Sequence, residues 1–175
     1  MPEDLKIIYY PDPRLKKMSQ PVTKFDTELR DLVVQMFRLM REHRGVGLAA
    51  PQVGKSVRLF VMNPSGEAGD DQVYINPVLS DAEGDDEAEE GCLSLPDIHV
   101  KVVRNKKVRI AARDLEGKTF EESASGFITR VWQHEFDHLN GILLTDRMGP
   151  VAKMSNRKKL KELEDRYQAR CGARR

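Results

Sequence analysis

Cysteine is scarce in this chain, with only Cys92 and Cys171 in 175 residues, and the two are too far apart to read as a disulfide framework. That scarcity argues against a stapled secreted module and leaves both thiols free in a reducing compartment. A long apolar run is missing as well: no stretch reaches the length a bilayer-spanning helix needs, and Met-Pro-Glu-Asp-Leu-Lys at the start lacks the basic and apolar segments of a secretory signal. Nor is there an excess of charge of either sign, since 29 Lys and Arg face 28 Asp and Glu, so the overall balance points to neither DNA nor a membrane as partner. No internal repeat and no Pro/Gly/Ser linker tract interrupts the sequence. These absences predict one soluble, unexported, cytoplasmic domain over residues 1–175, large enough at 39% hydrophobic residues to fold around its own core.

What is present has readable periodicity. Residues 25–43 repeat apolar side chains at Leu29, Leu32, Val33, Met36, Phe37 and Met40, which predicts a helix with one buried face and Asp26 as its cap. Gly45 to Gly54 is small and turn-rich. Val57–Met62 and Val73–Ile75 read as short strands. Residues 81–90 carry seven acidic side chains and no basic one, which favours a solvated loop. Alternation resumes over Ile98–Val103 and Lys107–Arg113, predicting antiparallel strands. Helical spacing returns from Ser125 to Leu139, with Asn140-Gly141 as a stop, and again from Val151 to Arg170. The expected fold is α+β, with mainly antiparallel strands packed around a central helix and further helices at the N- and C-terminal ends.

That central helix carries Gln133-His134-Glu135-Phe136-Asp137-His138, an H-E-x-x-H pattern. Two imidazoles one turn apart on one face can grip a single metal ion, with Glu135 beside them to handle a proton. By itself the pattern is only moderately specific, and a charged, solvated helix face is the competing reading. Against it, Trp132, Phe136 and Leu139 intersperse large apolar residues, which argues for a buried helix.

A hydrolytic metal site needs a third protein ligand, and the sequence offers three routes. The extended H-E-x-x-H pattern with a third His fails because position 144 is Leu. Glu162 or Glu164 could supply a carboxylate, although their charged surroundings favour a solvent-facing role. Cys92, in Glu90-Gly91-Cys92-Leu93-Ser94-Leu95-Pro96, offers a thiolate among small and apolar neighbours; a lone buried cysteine is ordinarily just a small hydrophobe.

Taken together, Gly45-Val46-Gly47-Leu48-Ala49-Ala50-Pro51-Gln52, the Cys92 segment and Gln133–Leu139 closely resemble the three ordered motifs of peptide deformylases, and the resemblance runs from about Ile8 to Asp146. It implies hydrolysis of the N-terminal formyl group of formyl-methionyl nascent peptides. It further implies metal ligands Cys92, His134 and His138, Glu135 as the proton shuttle, and the Gln52 side-chain amide with the Leu93 backbone N–H as donors to the developing oxyanion. The implied metal is one divalent ion, Fe2+ in the cell, with Zn2+, Ni2+ or Co2+ as other occupants. The implied substrate contacts are the backbones of Val46, Gly47 and Gly91.

The Gly45–Ala50 segment also fits a dinucleotide-binding fingerprint, but a helix precedes it and Pro51 interrupts the helix that should follow. Phe127 and Val131 fall four and three residues apart ahead of His134 on its stripe, which makes them candidates for the methionine pocket; core packing is the alternative. His43 reads as a helix-end residue, and His99 has no assigned role.

From Lys153 onward nine Lys and Arg outweigh three Asp and Glu. By its charge this tail, about 151–175, reads as a solubilising helix; the resemblance implies the alternative that it contacts the ribosome through RNA phosphates, as a C-terminal helix does in similar bacterial enzymes. The resemblance implies a bacterial cytoplasmic enzyme, with an organelle as the alternative although no transit peptide is seen. The rival functions are a metalloprotease cutting internal bonds and a non-catalytic RNA-binding module.

Overall fold

The computed structural model describes residues 4–173. Five strands form one sheet in the order β1 (Gly47–Ala49), β2 (Leu59–Met62), β3 (Gln72–Cys92), β4 (Leu95–Arg113) and β5 (Thr119–Ser125), each antiparallel to its neighbour. Four α-helices accompany it: α1 (Thr27–Glu42), α2 (Phe127–Leu139), α3 (Leu144–Arg147) and α4 (Pro150–Gly172). The expected α+β class is the observed one.

Local chemistry explains the helix ends. Asp26 caps α1 by accepting the Leu29 N–H at 3.1 Å, as its position predicts. Leu29, Val33, Met36, Phe37 and Met40 are buried, joined by Leu39, and pack on Leu48, Leu59 and Val61. Helix α2 ends at Asn140 and Gly141, the predicted stop. Gly141 has φ 71°, and its Cα lies against the backbone carbonyl of Lys16, where no side chain fits. Helix α2 itself packs Trp132, Val131 and Leu139 onto Phe60, Met62, Tyr74 and Ile110. Phe60 and Tyr74 stack with ring centroids 4.8 Å apart, and Tyr74 meets Trp132 edge-on at 5.9 Å. Burying each such side chain contributes about 1.5–3 kcal/mol, so this cluster fixes α2 against the sheet. Gln133 adds a polar clamp, accepting from Asn105 N and donating to Asn105 O, both at 2.9 Å.

The acidic stretch 81–90 is no solvated loop. It is part of β3, in register with β4 at Glu83↔Lys107, Asp86↔Arg104 and Glu89↔Lys101; Lys107 pairs with Glu83 at 3.8 Å, Arg104 with Glu90 at 2.9 Å and Arg130 of α2 with Asp86 at 3.0 Å, so cations from β4 and α2 relieve the repulsion that composition suggested would forbid a strand. Val73–Ile75 is the start of this same strand, and the two strands expected over 98–113 are one continuous β4. Within the turn-rich segment 45–54 the chain forms β1 and a 3-10 turn over Ala50–Val53. Helix α3 had no sequence signal, and α4 exceeds its expected span by one residue at one end and two at the other. The terminal Arg174 and Arg175 of the basic tail lie outside the described residues.

The β3–β4 hairpin turns tightly at Leu93-Ser94, with Cys92 paired to Leu95. Cys92 therefore occupies the tip of a long two-stranded arm. A third core cluster anchors that tip: Leu95, Ile98 and Val100 pack with Leu144, Met148 and Leu163, bringing α3 and α4 against β4.

Candidate metal centre

At the hairpin tip the Cys92 sulfur meets the two imidazoles of α2. The ligand atoms of Cys92, His134 and His138 lie within 4.8 Å of one another, the one such group among the described residues. Cys92 Sγ is 3.4 Å from His138 Nε2, and the two imidazole centroids are 5.1 Å apart. One sulfur and two ring nitrogens converging at this spacing suit a tetrahedral ion that keeps a fourth position open. The carboxylate route to a third ligand is not taken: Glu164 instead accepts the Tyr10 hydroxyl at 2.8 Å on the exposed side of α4, and Leu144 is buried in the third core cluster.

Orientation of the first imidazole comes from Glu90. Its Oε2 lies 2.9 Å from His134 Nδ1, leaving Nε2 as the nitrogen available to a metal. Glu90 is buried and receives Arg104 through both oxygens, Nε to Oε1 and Nη2 to Oε2 at 2.9 Å each, with Arg130 Nη1 on Oε1 at 2.8 Å. Burial alone would raise its pKa, but the hydrogen bonds from Arg104 and His134 hold the carboxyl well below the usual range. His134 is likewise pushed up despite burial, by the Cys92 sulfur and Glu90; His138 is pushed down by burial and by the positive charges of His134 and Arg104.

Glu135 is buried, and its Oε2 has no hydrogen-bond partner within the protein. Burial raises its pKa to about 7, opposed by the positive charge of His134. A buried carboxyl oxygen without a partner is unfavourable unless a water or ligand completes it, and a pKa near neutrality suits a group that both accepts and returns a proton. Its neighbour across the cleft is Gly47: a Cβ there would stand 2.5 Å from Glu135 Oε1, so only glycine admits this approach.

Gln52 arrives from the 3-10 turn with its amide orientation fixed. Oε1 accepts the Ala49 N–H at 2.9 Å, which turns Nε2 toward Cys92 Sγ at 3.5 Å and Ser94 Oγ at 3.2 Å. Leu93 follows Cys92 in the turn, its side chain against Gly45, where a Cβ would meet Leu93 Cδ1 at 2.8 Å. The three sequence motifs thus touch one another pairwise around one point.

The other expected residues are more dispersed. Gly91 is exposed and pairs with His99, whose ring covers its Cα. Val46 is half-buried, and its carbonyl accepts the Asn63 N–H at 2.8 Å. Val131 is buried in the α2–sheet cluster, whereas Phe127, the first residue of α2, is 55% exposed. His43 caps the C-terminal end of α1. The reading from residues overlooked Glu90, Arg104, Arg130, Asp137 and Ser94. Glu90 was hidden among six other acids, while Arg104 and Arg130 carried a faint signal as charges at inward-facing positions of otherwise apolar patterns.

A thiol and two imidazoles beside a buried carboxylate with a near-neutral pKa place the chain among metal-dependent hydrolases. Comparison with known proteins narrows the class. Residues 4–154 match the family described as polypeptide deformylase. The chain is 44% identical over 160 residues to the peptide deformylase of Thermotoga maritima, covering 90% of this chain and 95% of that one. It is 43% identical over 173 residues to peptide deformylase 1B, chloroplastic/mitochondrial, of Arabidopsis thaliana, covering 96% of this chain and 63% of that one. The crystal structure of plant peptide deformylase PDF1B superposes with a TM-score of 0.93 at 42% identity, over 98% of this chain and 95% of that one. The chain belongs to the peptide deformylase family, metalloenzymes that remove the N-terminal formyl group from nascent polypeptides.

Proposed function

We propose that this chain removes the formyl group from N-formylmethionyl peptides at a single divalent metal held by Cys92 Sγ, His134 and His138. The observation that carries this reading is the convergence of those three ligand atoms within 4.8 Å beside the Glu135 carboxyl. The donor set fits the ion, and the unpartnered Glu135 Oε2 fits a water awaiting deprotonation. When bound, the metal polarises the formyl oxygen and brings a water to nucleophilic strength near neutral pH.

The chain's own groups do the rest. Glu135 takes the proton from the attacking water and delivers it to the amine nitrogen as the formyl C–N bond breaks, yielding formate and a free N-terminus. Gln52 Nε2, locked by Ala49, and the Leu93 N–H donate to the formyl oxygen as charge gathers on it. The peptide lies extended beside β1, which among the described residues ends the sheet order and pairs only with β2, so the backbones of Val46 and Gly47 offer an edge for strand addition, with Gly91 opposite. Phe127 and Val131 shape the methionine pocket.

Fe2+ is the proposed physiological metal, with Zn2+, Ni2+ or Co2+ able to replace it. A thiolate ligand makes such a site oxygen-sensitive, because the sulfur can oxidise. Residues 1–175 act as one catalytic domain in the bacterial cytoplasm, and the basic residues of α4 touch the ribosome through RNA phosphates. No helix among the described residues is long and apolar enough to cross a membrane. Deformylation of a formyl-Met peptide by anaerobically purified protein, with the metal quantified and Glu135→Gln alongside, tests the proposal. Metal-dependent formate release that Glu135→Gln abolishes is expected, and metal-independent release would overturn it. Ribosome binding is tested by Arg157→Glu with Lys158→Glu, which should weaken it most at low salt.

A further inference from the structure

A buried chain of alternating charges runs from the metal centre to the protein surface. His134 Nδ1 meets Glu90 Oε2; Arg104 bridges from Glu90 to Asp137, its Nη1 lying 2.6 Å from Asp137 Oδ2; and Arg147, from α3, closes the chain with Nε on Oδ2 at 3.0 Å and Nη2 on Oδ1 at 2.6 Å. The Arg104 side chain is 3% exposed and that of Arg147 is 39% exposed. Arg104, Asp137 and Arg147 line a cavity of 330 Å3 behind α2, together with Gln133, Phe136 and Asn140. These α2 residues occupy a different stripe from His134 and His138.

We propose that Arg147 is a positioning residue for His134, acting through Asp137, Arg104 and Glu90. The argument turns on which oxygen each donor uses. Arg130 binds Glu90 through Oε1, but the oxygen that aims His134 is Oε2, and Arg104 Nη2 is the guanidinium donor on it. Arg104 keeps its two-point fork on Glu90 while giving Asp137, a second buried carboxylate, a single contact, and it is Arg147 that meets Asp137 at both oxygens. Remove Arg147 and two buried carboxylates compete for Arg104, pulling its planar group toward Asp137 and off Oε2. A lysine at 147 would restore the charge without the two-point geometry, since an ammonium cannot match both oxygens of Asp137 as a guanidinium does.

This inference rests on Cys92, His134 and His138 holding one metal, and the experiment separates the two. Metal affinity is measured by chelator competition on protein loaded with Co2+, whose visible absorption reports ligand geometry, for wild type, Arg147→Met, Arg147→Lys, Asp137→Asn and Cys92→Ala. Arg147→Met is expected to weaken metal retention on the order of fivefold, within the range for residues coupled to a site without touching its ligand, and to shift the cobalt spectrum. Arg147→Lys should recover little of either, and KM for a formyl-Met peptide should not move, because Arg147 lies away from the cleft. Asp137→Asn removes the carboxylate that would compete for Arg104, so it should leave the cobalt spectrum near wild type, and combined with Arg147→Met it should restore the spectrum that Arg147→Met alone shifts; a double variant shifted as far as Arg147→Met would overturn the inference. Wild-type affinity and spectrum in Arg147→Met, even with a lower melting temperature, would reduce Arg147 to a structural role and overturn the inference. Undiminished metal binding in Cys92→Ala would instead overturn the site on which it rests.

Discussion

Glu90 Oε2 stands 2.9 Å from His134 Nδ1, so one buried carboxylate fixes the direction of the first imidazole. Replacing Glu90 by Gln keeps the shape and removes the charge that Arg104 and Arg130 share. Loss of such an orienting partner typically lowers metal affinity about 10–100-fold, and two guanidinium groups short of their buried carboxylate cost about 3–5 kcal/mol of stability. Glu90→Gln is therefore expected to lose metal readily to a chelator and to melt earlier. Retention of wild-type metal affinity would show that the 2.9 Å contact does not orient the ligand.

The oxyanion role proposed for Gln52 can be tested apart from metal binding, because its Nε2 lies 3.5 Å from Cys92 Sγ while its Oε1 is committed to Ala49 N. Gln52→Leu should keep its metal and lose on the order of a hundredfold in kcat, as when a single oxyanion donor is removed, with KM nearly unchanged. Steady-state kinetics with parallel metal analysis decides it. A purely KM effect would place Gln52 in substrate binding.

Gly141 tests the fold without touching the chemistry. Its φ of 71° and its contact with the Lys16 carbonyl both exclude a Cβ. Gly141→Ala should destabilise the protein by at least about 1–3 kcal/mol, the usual strain for a non-glycine held at positive φ, with more added by the clash. A thermal melt within a degree of wild type would mean that the loop moves freely, contrary to its packing.

Much of this was legible from residue patterns, for reasons that differ by element. Helix α1 declared itself because cap and apolar stripe agree, and α2 because its stripe ends at a glycine with positive φ. The acidic segment misled because net charge was judged along the chain, whereas Glu83 meets Lys107 of β4, Glu90 meets Arg104 of β4 and Asp86 meets Arg130 of α2. Motif resemblance named Cys92, His134 and His138, which the fold brings together, but the Glu90–Arg104–Asp137–Arg147 chain carried no such signal. It joins β3, β4, α2 and α3 through contacts between residues up to 33 positions apart, which no local period encodes.

Phe127 and Val131 were proposed together for the methionine pocket, yet their surroundings differ. Val131 is buried with Trp132 and Ile110, while Phe127 stands 55% exposed at the head of α2. Truncating them should separate the roles. Phe127→Ala is expected to raise KM severalfold for formyl-Met peptides with little change in melting temperature, since exposed substitutions usually shift stability by under about 0.5 kcal/mol. Val131→Ala should lower stability by about 1–3 kcal/mol as a core truncation, and raise KM as well if it also lines the pocket. An unchanged KM in both would remove them from the substrate site.

The approach of Gly47 to Glu135 gives a test in which no chemical group is lost. A methyl group at 47 would stand 2.5 Å from Glu135 Oε1 and 2.9 Å from Cδ, so either the carboxyl rotates or β1 shifts outward. The substitution removes none of Cys92, His134 and His138, so the candidate metal ligands are all retained. Because displacing a catalytic group by about 1 Å can cost on the order of a hundredfold in rate, Gly47→Ala is expected to reduce kcat steeply while metal stoichiometry stays at the wild-type value. The same variant should bind an uncleavable peptide less well if β1 is the strand-addition edge, because an outward shift disturbs its backbone donors. Wild-type kcat with weakened peptide binding would locate the strain in β1 alone and leave Glu135 undisturbed.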